Sequence, residues 1–222
     1  MKSIFKINKK TKASSTKPKF LEGIKVKNSK GEDVIISDFW KKQTVVIKVL
    51  RRFGCPLCRY ESRLLSELKP EFDALDIKLI AIGFENVGLN DFLSGGYWDW
   101  EILVDNERSV HTSLDLKKVP VSAGLKDLMS SATRAAIMAA TKAGIQGDFK
   151  GDGFQLGGTF VVEKATSKLL YAYRQVGAGS YSSLKEVYES CGGDPEEVDE
   201  KAPEECIAYV KTCIDSRKCF TK

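Results

Sequence analysis

The chain has 222 residues, 42% of them hydrophobic, and a formal net charge of +5 at pH 7. This length suffices for one well-packed domain, and because no apolar run reaches about 18 residues, we expect no membrane span. The mild charge comes largely from N-terminal lysines, which we interpret as a solvated arm and not as a nucleic-acid or membrane patch.

The N-terminal sequence predicts a reducing, cytoplasmic location. It lacks the long apolar core of a secretory signal and the arginines of a mitochondrial presequence. In that location the six cysteines favour catalytic or regulatory thiols over a structural disulfide framework. Residues 1–19, rich in Lys, Ser and Thr without any period, predict a disordered basic arm before a domain over 20–192.

The domain is predicted to begin with a β-hairpin. Its strands are the segments 20–27 and 34–36, with the turn at Lys30-Gly31. The segment 44–50 is rich in β-branched residues and predicts a buried central strand.

A cysteine motif follows this strand directly: Arg51-Arg52-Phe53-Gly54-Cys55-Pro56-Leu57-Cys58-Arg59. Residues 60–75 then have apolar side chains at helical spacing, namely Leu64, Leu65, Leu68, Phe72 and Leu75. A strand, a Cys-x-x-Cys turn and a helix in this order are typical of a thioredoxin-like redox site.

Cys55 is predicted to be the nucleophile, because the unpaired N–H groups and partial positive charge of a helix N-terminus favour a thiolate. Pro56 suits the first helical position. Arg51, Arg52 and Arg59 add positive charge nearby. A fall of the thiol pKa from ~8.5 to ~6.5 would make the thiolate the major form at neutral pH.

Cys58, one turn later and more enclosed, is predicted to be the resolving thiol that closes a disulfide. Two other interpretations of the pair are open. A structural zinc site usually needs four Cys or His ligands, but the only histidine is His111 and no second Cys-x-x-Cys exists, so we predict no metal. Two idle buried cysteines would not require the proline and the arginines beside them.

Alternating strands and helices are predicted after the active-site helix. Buried strands at 77–84 and 101–105 have a short helix at 88–93 between them. This alternation favours parallel pairing, with helices on both faces of a central mixed sheet. A helix at 107–116 contains His111, which we interpret as a surface or capped residue more readily than as a ligand.

The following segment, 122–143, predicts one long helix. Its apolar side consists of Leu125, Leu128, Met129, Ala132, Ala136, Met138 and Ala139. We expect this side to pack in the core; the alternative is that it walls a hydrophobic pocket for a lipid-like substrate.

A glycine-rich loop and a final β-β-α unit complete the predicted domain. The loop, 147–153, has no following Gly-Lys-Ser/Thr, so it is not interpreted as a phosphate cradle. Antiparallel strands are predicted at 155–163 and 169–175, with a closing helix at 183–190.

Residues 193–222 are predicted to form an acidic linker and a cysteine-containing tail. Cys206 and Cys213 would lie roughly 10 Å apart on one helix face, too far to form a disulfide with each other. With Cys191 and Cys219, they are interpreted as inert thiols, as a redox relay to the active-site pair, or as metal ligands.

Two widely separated motifs carry a family resemblance. They are Arg51-Arg52-x-Gly54-Cys55-x-x-Cys58-Arg59 and the run from Gly151 to Val162. The chain resembles the peroxiredoxin-like family that contains the prostamide/prostaglandin F synthases. The resemblance implies a thioredoxin fold, Cys55 as the attacking cysteine and Cys58 as its partner. It also implies reduction of peroxides or prostaglandin-type lipid endoperoxides, with no tightly bound cofactor and with NADPH as an indirect electron source through thioredoxin.

Two departures from related patterns affect the predicted site. Gly158, before Thr159, takes the place of the cis-proline of thioredoxins and would leave a backbone edge that a substrate can approach. Pro56 makes the turn Cys-Pro-Leu-Cys, which is closer to that of glutaredoxin, so glutaredoxin or glutathione is an alternative electron donor.

The expected mechanism begins with attack of the Cys55 thiolate on an O–O bond, and Cys58 then displaces the adduct to form a disulfide. Backbone N–H groups within 56–58, where Pro56 itself has none, are expected to support the developing oxyanion with Arg52, Arg59 or Arg174. Two other functions are open: a glutaredoxin-like protein disulfide reductase, and a non-enzymatic redox-sensing module that changes partner binding on oxidation.

Overall fold

The computed structural model of the protein describes residues 21–198 and contains a seven-stranded sheet. The strands are β1 (Lys25–Asn28), β2 (Asp33–Ile35), β3 (Thr44–Val49), β4 (Ile77–Gly83), β5 (Glu101–Val104), β6 (Gly158–Val162) and β7 (Leu169–Arg174). Their order across the sheet is β2-β1-β5-β4-β3-β6-β7. β3 pairs parallel to β4 and antiparallel to β6, so the expected mixed sheet is confirmed.

The α-helices within residues 21–198 connect and cover these strands. They are α1 (Pro56–Glu67), α2 (Lys69–Ala74), α3 (Leu89–Ser94), α4 (Ser109–Ser113), α5 (Val121–Leu128), α6 (Ser131–Lys142) and α7 (Leu184–Ser190). The predicted hairpin is confirmed as β1-β2, with Gly31 in the left-handed region at φ 84°. The predicted strands 77–84 and 101–105 and the closing helix are also confirmed, as β4, β5 and α7.

Two predicted helices are each divided into two. The helix predicted at 60–75 breaks at Leu68, because Pro70 in the first turn of α2 has no N–H to continue the preceding helix. The helix predicted at 122–143 breaks after α5, where the Ser130 side chain accepts the N–H of Thr133 and caps α6. Each break affects only the residues at the junction, and the segments on either side are helical as predicted.

The two faces of the sheet pack against different elements. Val46 of β3 and Leu50 directly after it point to a cluster that includes side chains of α1, α2, α6 and α7, which we call the α1 face. Ile47 and Val49 point to the opposite cluster, which we call the α4 face because α4 and a 3-10 segment, Ile36–Lys41, cover it. Both cysteines of the motif belong to the α1 face.

The chain remains packed on the domain beyond residue 192. Val198 is buried in the α1-face cluster, and the Tyr188 hydroxyl donates to Glu197 at 2.9 Å. The arm predicted over 1–19 and the tail cysteines Cys206, Cys213 and Cys219 lie outside the described residues. Within 21–198, no helix combines the length and the apolar character needed to cross a bilayer.

Candidate active site

Cys55 lies in the turn between β3 and α1. Its backbone is extended, with φ −72° and ψ 120°, and its carbonyl accepts the Arg59 N–H at 3.0 Å, so it occupies the N-cap position. Pro56 follows as the first helical residue, where its missing N–H leaves no donor unpaired. The structure therefore places Cys55 at the helix N-terminus, where the sequence predicts it.

Cys58 has the largest effect on the ionisation of Cys55. Its thiol donates a hydrogen bond to the Cys55 sulfur, and this lowers the Cys55 pKa from 9.0 to about 5, although burial opposes the change. The charge of Arg51, the Cys58 backbone N–H and the charge of Arg52 lower the pKa further. The same thiol hydrogen bond, with burial and the Cys55 charge, raises the Cys58 pKa well above 9.0. Near neutral pH the pair is therefore one thiolate and one thiol.

The burial of the two residues differs from the prediction. Cys58 was expected to be the more enclosed of the two, but both are 3% exposed. Cys55 is thus as well shielded from solvent as Cys58.

We expect alkylation of Cys55 by iodoacetamide to be half-maximal near pH 5, because only the thiolate reacts and acid removes it. In Cys58→Ala the midpoint should rise by about 1–2 pH units, the equivalent of one charge-assisted hydrogen bond. Mass spectrometry of the Cys55 peptide as a function of pH measures both midpoints. A wild-type midpoint at about 8.5, the value for a free cysteine, would contradict this assignment.

The three arginines of the motif donate hydrogen bonds to main-chain carbonyls. Their acceptors are Gly153 O for Arg51 (2.8 Å), Lys150 O and Asp148 O for Arg52 (2.5 and 3.0 Å), and Phe53 O and Gln146 O for Arg59 (2.8 and 2.7 Å). Apart from Phe53, these acceptors lie within residues 146–153, which we call the strap. The predicted charge effect on Cys55 comes from Arg51 and Arg52, whereas Arg59 is not among its causes.

The strap crosses the N-terminus of α1 at van der Waals distance. The Asp148 N–H donates to the Gly54 carbonyl at 2.8 Å. A Cβ at Gly147 would lie 2.6 Å from that carbonyl oxygen and 2.5 Å from Pro56 Cδ, so only glycine permits this approach. The strap therefore packs against the turn that contains Cys55.

The predicted oxyanion support by Arg174 is wrong. Arg174 Nε donates to the Leu114 carbonyl at 2.6 Å, and its guanidinium lies 5.4 Å from the ring centroid of Phe160. Phe160 belongs to the α4 face, whereas Cys55 belongs to the α1 face. The sequence could not show this, because the side of β7 on which residue 174 projects depends on its pairing register.

Gly158 and Thr159 have structural surroundings different from those predicted. Gly158 pairs with Val49 on one side and Arg174 on the other, so its backbone is not a free edge. A Cβ there would lie 2.4 Å from the Tyr173 carbonyl oxygen, which explains the glycine. Thr159 is fully buried, and its hydroxyl lies 2.9 Å from that of Ser182.

A buried ion pair that the sequence analysis did not identify connects β3 to α1. Lys48 Nζ lies 2.5 Å from Glu61 Oε2, and the two side chains are 1% and 3% exposed. Glu61 also accepts hydrogen bonds from Ser182 and, at 3.4 Å, from Gln175. A lysine within the apolar strand 44–50 was the available signal. The pair holds α1, which contains Cys58 and begins directly after Cys55.

His111 is also placed differently from the prediction. It is 1% exposed, with Nδ1 3.4 Å from Asp105 and Nε2 3.5 Å from the Leu50 carbonyl, so a surface position is wrong. The residue that caps α4 is Asp105, whose carboxylate accepts the N–H groups of Ser109 and Val110. His111 thus packs under the chain segment that leads from β3 to Cys55.

The alternative of a lipid pocket walled by 122–143 receives no support from the apolar residues at the break. Leu128 and Met129 are 40% and 72% exposed, whereas Ala136 and Ala139 pack in the α1-face cluster. Core packing is therefore the role of α6. Cys191 packs against the same cluster, and burial raises its pKa to about 12, which suits an inert thiol.

No group of three His, Cys, Asp or Glu side chains arranged to hold a metal occurs in the described range 21–198. What this range does provide around Cys55 is an activated thiolate, a neighbouring thiol and a cationic, water-shielded surrounding. Such an arrangement can perform nucleophilic attack followed by disulfide formation.

Comparisons with known proteins place this geometry in context. Residues 64–177 match the family model for AhpC/TSA antioxidant enzymes, and this match begins downstream of Cys55 and Cys58. Prostamide/prostaglandin F synthase of Xenopus tropicalis is 34% identical over 170 residues, which are 76% of this chain and 85% of that protein. The protein of the same name from Aquarana catesbeiana is 35% identical over 185 residues, 83% and 92% of the two chains.

Solved structures show the shared fold. PrxQ of Xylella fastidiosa aligns with a TM-score of 0.52 at 12% identity, covering 93% of this chain and 96% of that one. Peroxiredoxin Q of Xanthomonas campestris aligns with a TM-score of 0.53 at 14% identity, covering 94% and 100%. The thioredoxin-like fold implied by the sequence resemblance is thereby confirmed.

Proposed function

This chain belongs to the peroxiredoxin-like family of the prostamide/prostaglandin F synthases and is a thiol oxidoreductase, and from that premise we propose that it reduces peroxides or prostaglandin-type lipid endoperoxides. The Cys55–Cys58 dithiol supplies the electrons. The observation that carries this proposal is the pKa of about 5 for Cys55 beside a Cys58 thiol that stays protonated. This is the division of roles that a nucleophile and a resolving cysteine need.

The proposed reaction has two steps at sulfur. The Cys55 thiolate forms a bond to one oxygen of the O–O group, and the other oxygen leaves with the bonding electron pair. Cys58 then attacks the oxidised Cys55 sulfur and releases the first oxygen, which leaves a Cys55–Cys58 disulfide. The peroxide gains two electrons and the dithiol loses two.

Charge near the sulfur supports the departing oxygen. Arg51 and Arg52 are close enough to lower the Cys55 pKa, and the first N–H groups of α1 add the positive end of its dipole. Arg59, which donates to Phe53 and Gln146, holds the strap instead. Exclusion of water by the strap strengthens each of these interactions.

Recycling of the disulfide needs an external dithiol. We propose thioredoxin, reduced by NADPH, as the donor, with glutaredoxin or glutathione as the alternative that the Cys-Pro-Leu-Cys turn favours. Neither donor calls for a tightly bound cofactor. The reducing cytoplasm is the matching location.

A coupled assay tests the proposed function. Protein with NADPH, thioredoxin reductase, thioredoxin and an alkyl hydroperoxide should consume NADPH, and Cys55→Ser should reduce this to the protein-free rate. Cys58→Ser should still consume about one equivalent of peroxide per protein and then stop, because no disulfide can form. Cys191→Ser is the matched control, with turnover unchanged.

Three outcomes would overturn the assignment. Turnover that persists in Cys55→Ser would exclude Cys55 as the nucleophile. Reduction of protein disulfides with glutathione, without any peroxide consumption, would show a glutaredoxin-type reductase instead. An oxidised Cys55–Cys58 pair that turns over neither substrate but alters binding to another protein would show a redox-sensing module.

A further inference from the structure

Six buried side-chain polar atoms within residues 21–198 have no hydrogen-bond partner, and one of them is the hydroxyl of Tyr181. The Tyr181 hydroxyl is buried, yet no atom of the described residues 21–198 accepts or donates a hydrogen bond to it. Such an unpaired group is destabilising and uncommon in folded proteins. A hydroxyl without a partner in the protein can form a hydrogen bond with a bound substrate.

Tyr181 lies beside the active-site helix. Its ring packs edge-on against Tyr60 of α1, with centroids 6.5 Å apart and an interplanar angle of 72°. Tyr60 shares the α1-face cluster with Cys55 and Cys58, and Tyr181 packs against the same cluster.

The backbone on both sides of Tyr181 is held firmly. The Ser180 carbonyl accepts from Gln175 at 3.1 Å, and the Ser182 N–H donates to Glu61 at 3.4 Å. Since Glu61 is itself on α1, the position of Tyr181 is fixed relative to this helix, which contains Cys58 and begins directly after Cys55.

The surroundings keep this hydroxyl protonated. Burial, the Glu61 charge and the charge on Cys55 and Cys58 raise the Tyr181 pKa well above its usual value. The group can therefore act as a hydrogen-bond and proton donor near the thiolate, whereas the Cys58 thiol is engaged with the Cys55 sulfur.

We propose that the Tyr181 hydroxyl is the acid that protonates the oxygen leaving from the peroxide; this inference rests on the proposed peroxide reduction. The Cys55 sulfur bonds to the terminal oxygen of an alkyl hydroperoxide, the O–O bond breaks, and the alkoxide takes the Tyr181 proton to become an alcohol. The tyrosinate then takes a proton from water, which leaves hydroxide in solvent. The Cys58 thiol attacks the Cys55 sulfenic acid, its proton joins the departing hydroxyl group, the disulfide forms and water leaves.

Leaving-group dependence tests this role. Tyr181→Phe should reduce cumene hydroperoxide about 100-fold more slowly than wild type, within the range for loss of a general acid. Peracetic acid should react with both proteins at similar rates, because its leaving acetate needs no proton. Stopped-flow rates of Cys55 oxidation under single-turnover conditions measure both reactions.

Two controls separate this role from a structural one. Tyr171→Phe removes a hydroxyl that hydrogen-bonds Glu186 at the surface and should leave both rates unchanged. The urea midpoint of Tyr181→Phe should equal or exceed that of wild type, because no hydrogen bond among residues 21–198 is lost.

The outcomes distinguish failure of this inference from failure of the proposed function. Equal slowing with both oxidants, or none with either, would exclude Tyr181 as the acid while peroxide reduction by Cys55 stands. A wild-type protein that reduces neither oxidant would overturn the proposed function itself.

Discussion

Replacing Lys48 by methionine is expected to lower the free energy of unfolding by about 3–5 kcal/mol, because it leaves the Glu61 carboxylate buried without its cation. Glu61 is 2% exposed, and its remaining donors, from Ser182 and Gln175, lie 3.3–3.4 Å away. Urea denaturation followed by circular dichroism measures the change. The substitution should destabilise the fold and also weaken the attachment of α1 to β3.

A second variant separates charge from packing. Lys48→Met combined with Glu61→Leu removes both charges, so most of the lost stability should return. Lys27→Met is the surface control: the side chains of its ion pair with Asp33 are 47% and 65% exposed, so solvent screens the pair and the urea midpoint should not change measurably. A single Lys48→Met variant as stable as this control would contradict the buried pair.

Arg52→Met is expected to loosen the strap and expose Cys55. The substitution removes two hydrogen bonds, to the carbonyls of Lys150 and Asp148. If strap opening becomes easier by about 2 kcal/mol, the open population rises about 30-fold, and iodoacetamide should modify Cys55 faster by a similar factor. The alkylation rates should be measured near pH 8, because Cys55 is still ionised there after the Arg52 charge is lost.

Arg134→Met, at an exposed position on α6, is the matched control and should leave the alkylation rate unchanged. The Arg52 variant should also shift the Cys55 midpoint upward, since it removes one of the charges that lower the pKa. Unaltered access to Cys55 in Arg52→Met would show that the strap does not limit the approach to sulfur.

The local features of the site could be predicted from the sequence because they depend on neighbouring residues. The β-branched run before Cys55 and the proline after it determine where β3 ends and where α1 begins. A hairpin turn at Gly31 and a helix cap at Ser183 are equally local signals. Each of them is recognisable within a few residues.

Features that depend on distant pairing could not be predicted in this way. The arginines of the motif donate hydrogen bonds to the strap, which lies almost 100 positions later in the chain. Arg52, for example, donates to the carbonyl of Lys150, 98 residues away. The Lys48–Glu61 pair requires β3 and α1 to pack in a particular register. Sequence reasoning also assigned the Cys55 activation to the arginines and the helix, whereas the largest effect is the Cys58 thiol itself.

The strap also has a kinetic consequence. Cys55 is 3% exposed in the turn beside the strap, so if the proposed function holds, oxidant would meet the sulfur only after the strap opens. At low peroxide the rate is proportional to concentration, but at high peroxide it reaches a plateau equal to the opening rate. Oxidants of very different intrinsic reactivity would then have the same maximal velocity. Bulky oxidants would react more slowly than small ones, because the strap must move further to admit them.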